Sequence, residues 1–123
     1  MTAPQVQQLS PDICVAPQLD TAAMAWAAQN GFKSVINNRP DFEGGPSQPT
    51  SAQIEAAAKA AGLSYAFLPV NGAYQSPEEI ARFGELLSQL PRPILAFCRS
   101  GARSGKLYPV SYTHLTLPTN REV

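Results

Sequence analysis

The sequence has little charge and lacks the features that mark secreted, membrane or nucleic-acid-binding proteins. Only 15% of its 123 residues are charged, and nine basic residues balance nine acidic ones. A chain without net charge gives no indication of nucleic acid or an anionic membrane surface as a partner. The amino terminus lacks a charged segment followed by an apolar one, and no apolar run is long enough for a membrane-spanning helix. We therefore expect one cytoplasmic domain with no membrane partner.

Cysteine and histidine are also scarce. The sequence contains two cysteines, Cys14 and Cys98, and one histidine, His114. A disulfide is not favoured in a reducing compartment, so we expect both thiols to be free. Cys14 lies in a short apolar segment and is most simply a core residue, whereas Cys98 lies at a strand end beside a basic loop.

Cys98 ends an apolar run and begins a loop that contains glycine and arginine. The run, Ile94 to Phe97, follows Pro91 and Pro93 and predicts a buried strand. A loop of small residues after a strand exposes successive backbone N–H groups, which can hold an anion. These groups, the amino terminus of a following helix and the guanidinium of Arg103 favour a thiolate, which is a nucleophile at neutral pH. The alternative is a buried strand cysteine followed by an ordinary basic turn.

Strand and helix patterns alternate along the chain. After polar, frayed first residues we predict strands over Ile13 to Ala16, Phe32 to Asn37, Leu63 to Val70 and Ile94 to Phe97. Between them we predict three helices. The first is alanine-rich, capped by Asp20 or Thr21 and ends at Asn30-Gly31; the second is opened by Thr50 or Ser51 and runs from Ala52 to Ala61; the third runs from Ser76-Pro77 to Leu90.

This alternation predicts an α/β domain with a parallel sheet and right-handed crossovers. Functional sites of such sheets lie at the carboxyl ends of the strands. The loops after Asn37, Val70 and Phe97 open at that edge. We therefore expect Arg39, Asn71 and Cys98 to be neighbours.

The carboxyl-terminal residues do not continue this pattern. The loop needs a helix after Ser104, but Pro109 stops it, and residues 110–119 have no helical periodicity. This string looks like the translation of a transposase-type sequencing adapter. We therefore predict an incomplete domain over residues 1–108 and a non-native tail over residues 109–123, so that His114 is no catalytic base. The alternative is a genuine β-like tail.

Four segments carry a resemblance to a known family. They are Gly31 to Asp41, Ala60 to Tyr65, Leu68 to Val70, and Cys98 to Ser104. In these segments the chain resembles the bacterial beta-lactamase hydrolase-like proteins, in their phosphatase-like domain, whose members are also described as sulfurtransferases. The resemblance implies a cysteine-phosphatase-like fold of the dual-specificity type. Relatives occur fused to sulfide-oxidising or persulfide dioxygenase domains, which implies such an enzyme as a partner.

Three features favour sulfur transfer over phosphate hydrolysis. The spacing from Cys98 to Arg103 is C-x4-R, as in rhodanese-type sulfurtransferases, whereas dual-specificity phosphatases have C-x5-R. Asn71-Gly72 stands where those phosphatases place an aspartate general acid, and Phe97 replaces their histidine. We predict that Cys98 takes sulfur from a small sulfane donor, carries it as a persulfide and passes it to a thiol acceptor, without a metal or organic cofactor.

The remaining site residues are predicted to support this cysteine. Arg103 and the loop residues Ser100, Gly101 and Ala102 stabilise the anion, and Arg99 guides an anionic donor, unless it is only a solvated loop charge. Ser104 is expected to hydrogen-bond the cysteine sulfur. Arg39 is a candidate substrate-binding residue, although a loop salt bridge or cap is favoured for both Arg39 and Asp41. The alternative functions are a phosphatase with an acid such as Asp41 and a non-catalytic anion-binding module.

Overall fold

The computed structural model describes residues 5–72 and 74–107 of the chain. Its elements are β1 (Gln7–Ser10), β2 (Ile13–Ala16), α1 (Ala22–Gln29), β3 (Ser34–Asn37), α2 (Ser51–Ala60), β4 (Ser64–Phe67), α3 (Pro77–Gln89) and β5 (Ile94–Phe97). A short helix that we call α4 covers residues 102–107. The predicted tail 109–123 and its histidine lie outside the described residues.

The sheet has the order β1-β2-β5-β3-β4. Strands β2, β5, β3 and β4 are parallel, which confirms the predicted α/β sheet. Strand β1 is antiparallel to β2, with Gln7 opposite Val15, so the prediction of a frayed amino terminus was wrong for Gln7–Ser10, while residues 1–4 lie outside the described residues. Its polar sequence Gln-Gln-Leu-Ser has no strand periodicity of its own. It is an edge strand whose order comes from pairing with β2.

Helices cover both faces of the sheet. Helices α1 and α2 contribute to one apolar cluster with alternate residues of the strands, including Val35, Leu95 and Phe97. Helices α3 and α4 contribute to a second cluster on the opposite face, with Ile36, Ile94 and Ala96. All four residues of β5 are buried, as expected for a central parallel strand whose sequence is an unbroken apolar run. Among the described residues, no helix is long and apolar enough to cross a membrane.

The helices start at the predicted turn signals. Thr50 forms a capping box with Gln53 at α2, and Ser76 forms one with Glu79 at α3. At α1 the side chain of Asp20 accepts the N–H of Ala23 at 2.9 Å. These local capping interactions explain why the observed helix starts lie within one or two residues of the predicted ones.

Strands β3 and β4 are shorter than predicted, but their ends align. Asn37 of β3 lies opposite Phe97 of β5 and opposite Phe67 of β4. Beyond β4 the chain still follows β3, because the N–H of Leu68 donates to the carbonyl oxygen of Asn37 at 2.8 Å. The loops that leave these strands therefore open at one edge of the sheet, as predicted.

Candidate active site

Cys98 lies directly beyond the carboxyl end of the central strand. Its N–H donates to the carbonyl oxygen of Ala16 at 3.3 Å, which continues the pairing of β5 with β2. The N–H of Gly101 donates to Cys98 Sγ at 3.1 Å. The residue is fully buried.

The loop after Cys98 folds over the sulfur and presents backbone amides. Among residues 5–72 and 74–107, no acceptor is found for the backbone N–H of Arg99 or Ser100. Gly101 has a φ of 92°, and a Cβ there would lie 3.4 Å from the carbonyl carbon of Ala16. Glycine at this position therefore lets the loop turn tightly against β2. The side chains of Arg99, Ser100 and Ala102 are exposed on this loop, and the binding of an anion there stays a prediction.

Arg103 contacts both neighbouring loops. Its guanidinium donates from Nη1 to Glu43 Oε2 at 2.8 Å and from Nη2 to Glu43 Oε1 at 2.7 Å. Nη1 also donates to the carbonyl oxygen of Val70 at 3.2 Å. The hydrogen bonds to Glu43 are the main reason why the pKa of Arg103 is raised, and electrostatic interaction with Cys98 acts in the same direction. Arg103 therefore carries a full positive charge that interacts with Cys98.

The loop after β3 brings a second arginine to the same carboxylate. Arg39 Nε donates to Glu43 Oε1 at 2.9 Å, and Arg39 Nη1 donates to the side chain of Gln18 at 3.0 Å. The favoured alternative for Arg39, a loop salt bridge, is thus what the structure shows. Asp41 accepts the N–H of Ser51 at 2.7 Å at the start of α2, which is the cap also favoured for it.

Ser104 is in the site but has a different partner from the predicted one. Its hydroxyl donates to Asn38 Oδ1 at 2.8 Å, and both residues are fully buried. Since a hydroxyl has one proton, it is not donated to Cys98 in this arrangement. Asn38 Nδ2 in turn donates to the carbonyl oxygen of Leu68 at 2.9 Å. Ser104 therefore ties α4 to the loops after β3 and β4 instead of contacting the sulfur.

Sequence reasoning missed Glu43, which is the centre of this network. It follows Phe42, a non-glycine residue with a φ of 63°, in a loop with many turn residues. Because Arg103 and, more weakly, Arg39 hydrogen-bond its carboxylate, the pKa of Glu43 is lowered. The signal in the sequence was only a second acidic residue, after Asp41, in a loop of charged and turn-forming residues. Its partner is 60 residues away, so nothing local revealed it.

We expect Glu43→Gln to destabilise the fold by about 1–2 kcal/mol at pH 7, because three charge-assisted hydrogen bonds lose their anionic acceptor and two guanidiniums lose their shared counter-charge. The pKa of Glu43 is lower in the folded chain than its ordinary value of 4.5, so the ionised carboxylate stabilises the fold at pH values above 4.5. This stabilisation disappears as the pH falls through the pKa of the folded state. The difference in melting temperature between wild type and variant should therefore shrink as pH falls below about 4.5.

Thermal melts at pH 7 and at pH 4 would measure this difference. Glu85→Gln is the matched control, since Glu85 pairs with Arg82 on an exposed helix face. Its variant should melt close to wild type at both pH values. A stability difference for Glu43→Gln that stays constant with pH would contradict the assignment.

Known proteins are similar to this chain in sequence over most of its length. The family described as beta-lactamase hydrolase-like protein, phosphatase-like domain, matches residues 5–114. A beta-lactamase hydrolase-like protein of Agrobacterium fabrum is 42% identical over 78 residues, which cover 63% of this chain and 18% of the relative. One from Xylella fastidiosa is 33% identical over 107 residues, which cover 87% of this chain and 25% of the relative. The chain thus spans a quarter or less of the length of these relatives.

Solved structures show the same architecture. A Neisseria meningitidis protein described as a candidate phosphatase has a TM-score of 0.79 and 33% identity, with 90% of this chain and 78% of that chain covered. TpbA of Pseudomonas aeruginosa, in complex with pTyr, has a TM-score of 0.63 and 15% identity, with 88% and 62% covered. At that identity the likeness concerns the fold alone. The chain therefore belongs to the family of phosphatase-like domains of beta-lactamase hydrolase-like proteins and has a cysteine-phosphatase-like fold.

Proposed function

We propose that this domain is a cysteine-dependent phosphatase. The observation that carries the proposal is the geometry at Cys98: its sulfur accepts the N–H of Gly101 at 3.1 Å, and the described part of the chain supplies no acceptor for the backbone N–H groups of Arg99 and Ser100 in the same loop. Donors converging at one point stabilise a thiolate and also match the oxygens of a phosphoryl group. Arg103 adds a planar guanidinium, which suits two oxygens of the same group.

The reaction would proceed in two steps. The Cys98 thiolate attacks phosphorus, so that the S–P bond forms while the bond from phosphorus to the leaving oxygen breaks. The leaving oxygen takes the bonding electron pair. Water then attacks phosphorus, the S–P bond breaks and the thiolate returns, while the proton of the water passes to the released phosphate or to solvent. Arg103 and the loop amides would balance the charge of the non-bridging oxygens in both steps.

The comparisons support this function more than sulfur transfer. The Neisseria meningitidis relative is described as a candidate phosphatase, and the more distant TpbA holds pTyr in its structure. The family description also names a phosphatase-like domain. Sulfur transfer, favoured from the sequence, has no counterpart in these descriptions. The alternative phosphatase interpretation therefore becomes the main one.

Sulfur transfer is kept as a second candidate because of one observation. Four residues separate Cys98 from Arg103, and the resulting loop is one residue shorter than that of dual-specificity phosphatases. A smaller loop suits a persulfide sulfur. In that case the proposed donor is a sulfane sulfur compound, the acceptor is a thiol, and a persulfide dioxygenase is the proposed partner. The activity and partners of a longer protein that contains this domain are proposals in either case.

One experiment separates the two candidates. The chain is mixed with p-nitrophenyl phosphate or with thiosulfate, quenched in acid and analysed by intact and peptide mass. We expect nitrophenolate release and a phosphoryl adduct on the peptide that contains Cys98. A sulfur adduct from thiosulfate without any phosphoryl adduct would instead support the second candidate. Modification of neither kind would overturn both.

A further inference from the structure

Two carboxylates lie in the loop nearest to Arg103, and both have other partners. Asp41 accepts the N–H of Ser51 at 2.7 Å and thereby caps α2. Glu43 accepts hydrogen bonds from Arg39 and from Arg103, in the second case with both oxygens. Two guanidiniums keep this carboxylate ionised, because its neutral form would lose the charge-assisted bonds. Neither group is arranged to protonate a leaving oxygen.

The other described carboxylates offer no better donor. Asp20 caps α1 through the N–H of Ala23, and Glu79 belongs to the capping box of Ser76. Glu78 is exposed in the first turn of α3. The remaining ones pair with basic residues, namely Asp12 with Arg92, Glu55 with Lys59, and Glu85 with Arg82. Among residues 5–72 and 74–107, none of them contacts Cys98 or Arg103 except Glu43.

Aromatic side chains are exposed at the same edge of the sheet. Phe42 is 66% exposed and precedes Glu43, which binds Arg103. Tyr74 is 64% exposed and lies two residues after Gly72, where a Cβ would come within 3.1 Å of Arg103 Nε. Phe67, at the carboxyl end of β4, is 39% exposed. Rings at these positions offer flat apolar surfaces to an aromatic group bound near Arg103.

From these contacts we infer that Cys98 acts on aryl phosphates whose leaving group departs as a phenolate, and acts poorly on alkyl phosphates. The inference rests on the proposed phosphatase function. When the thiolate displaces the aryl oxygen, the P–O bond breaks and the oxygen leaves with the electron pair and without a proton. An alkoxide is too basic to leave in this way, whereas a phenolate carrying an electron-withdrawing group is stable in water. General acid catalysis typically raises the reaction rate by about 10²–10⁴-fold. Without a general acid, alkyl phosphates would lose roughly this factor in rate.

The test is the dependence of kcat/KM on the leaving group. The chain is assayed with p-nitrophenyl, p-cyanophenyl and unsubstituted phenyl phosphate and with glycerol phosphate, because kcat/KM reports the step that breaks the P–O bond. We expect a steep fall along this series, with glycerol phosphate slower than p-nitrophenyl phosphate by at least about 100-fold. The pH profile of kcat/KM should lack the descending limb that a general acid produces when it loses its proton.

Variants at the acidic and phenolic side chains nearest to the site complete the test. Asp41→Asn, Glu43→Gln, Glu78→Gln and Tyr74→Phe are each compared on p-nitrophenyl and phenyl phosphate. Each should change kcat/KM for both substrates by the same factor. A variant that slows phenyl phosphate selectively would identify a general acid and overturn the inference, as would similar rates for aryl and alkyl phosphates. Both of those results leave phosphatase activity intact, whereas failure to turn over any of the phosphates would refute the proposed function itself.

Discussion

Replacing Cys98 by serine should abolish the turnover of aryl phosphates, with kcat reduced by about 10⁴-fold or more. The serine hydroxyl is not ionised at neutral pH, and the donors around position 98 stabilise an anion that it does not supply. Serine is close to cysteine in size and the position is fully buried, so the loop should keep its shape. Inorganic phosphate should therefore still raise the melting temperature of the variant. Steady-state assays and intact mass after a quench would measure the loss of turnover and of the adduct, and thermal melts with and without phosphate would measure the retained binding.

Cys14→Ser is the control for this substitution. Cys14 is partly buried on β2, opposite Leu95, and burial raises the pKa of its thiol, which makes it a poor nucleophile. Its variant should retain the wild-type kcat and the phosphoryl adduct. A phosphoryl adduct that persists in Cys98→Ser and disappears in Cys14→Ser would mean that the wrong cysteine has been assigned.

Arg103→Lys should lower kcat/KM for p-nitrophenyl phosphate by about 10²–10³-fold. Lysine keeps the positive charge but is a point charge without the planar pair of donors. In the wild-type chain Nη1 and Nη2 hold the two oxygens of Glu43 at 2.8 and 2.7 Å, and this fixes the plane of the guanidinium so that its Nε–H and second Nη2–H would hold two phosphoryl oxygens. Since the positive charge is kept in Arg103→Lys, the loss of kcat/KM would measure the contribution of the planar pair of donors. The measurement is kcat/KM together with the phosphate dependence of the melting temperature.

Arg82→Lys is the matched control, because Arg82 pairs with Glu85 at an exposed position on α3. Its kinetics and phosphate response should equal those of wild type. If Arg103→Lys retained wild-type kcat/KM, Arg103 would have only a structural role through Glu43. In that case Arg103→Lys would reduce thermal stability while leaving the phosphate response unchanged.

The helices, the central strand and the loop at Cys98 were predictable because their signals are local. Thr50 and Ser76 cap helices through residues three positions later, and these pairs are visible in the sequence. The apolar run that ends at Phe97 predicts a buried strand on its own composition. Alternation of strands and helices then implies parallel pairing, and parallel pairing brings the strand ends to one edge. The neighbourhood of Arg39 and Cys98 followed from this topology.

Partners separated by long stretches of chain were decided by the tertiary structure. β1 has a polar sequence and is a strand only because β2 supplies its hydrogen-bonding partners. Ser104 binds Asn38 instead of the sulfur because α4 packs beside the loop after β3, 66 residues earlier in the chain. Glu43 became the shared partner of two arginines because three loops meet above the ends of β3, β4 and β5. Sequence periodicity and capping specify backbone conformation over a few residues, whereas the partner of a charged side chain depends on which loops the completed sheet brings together.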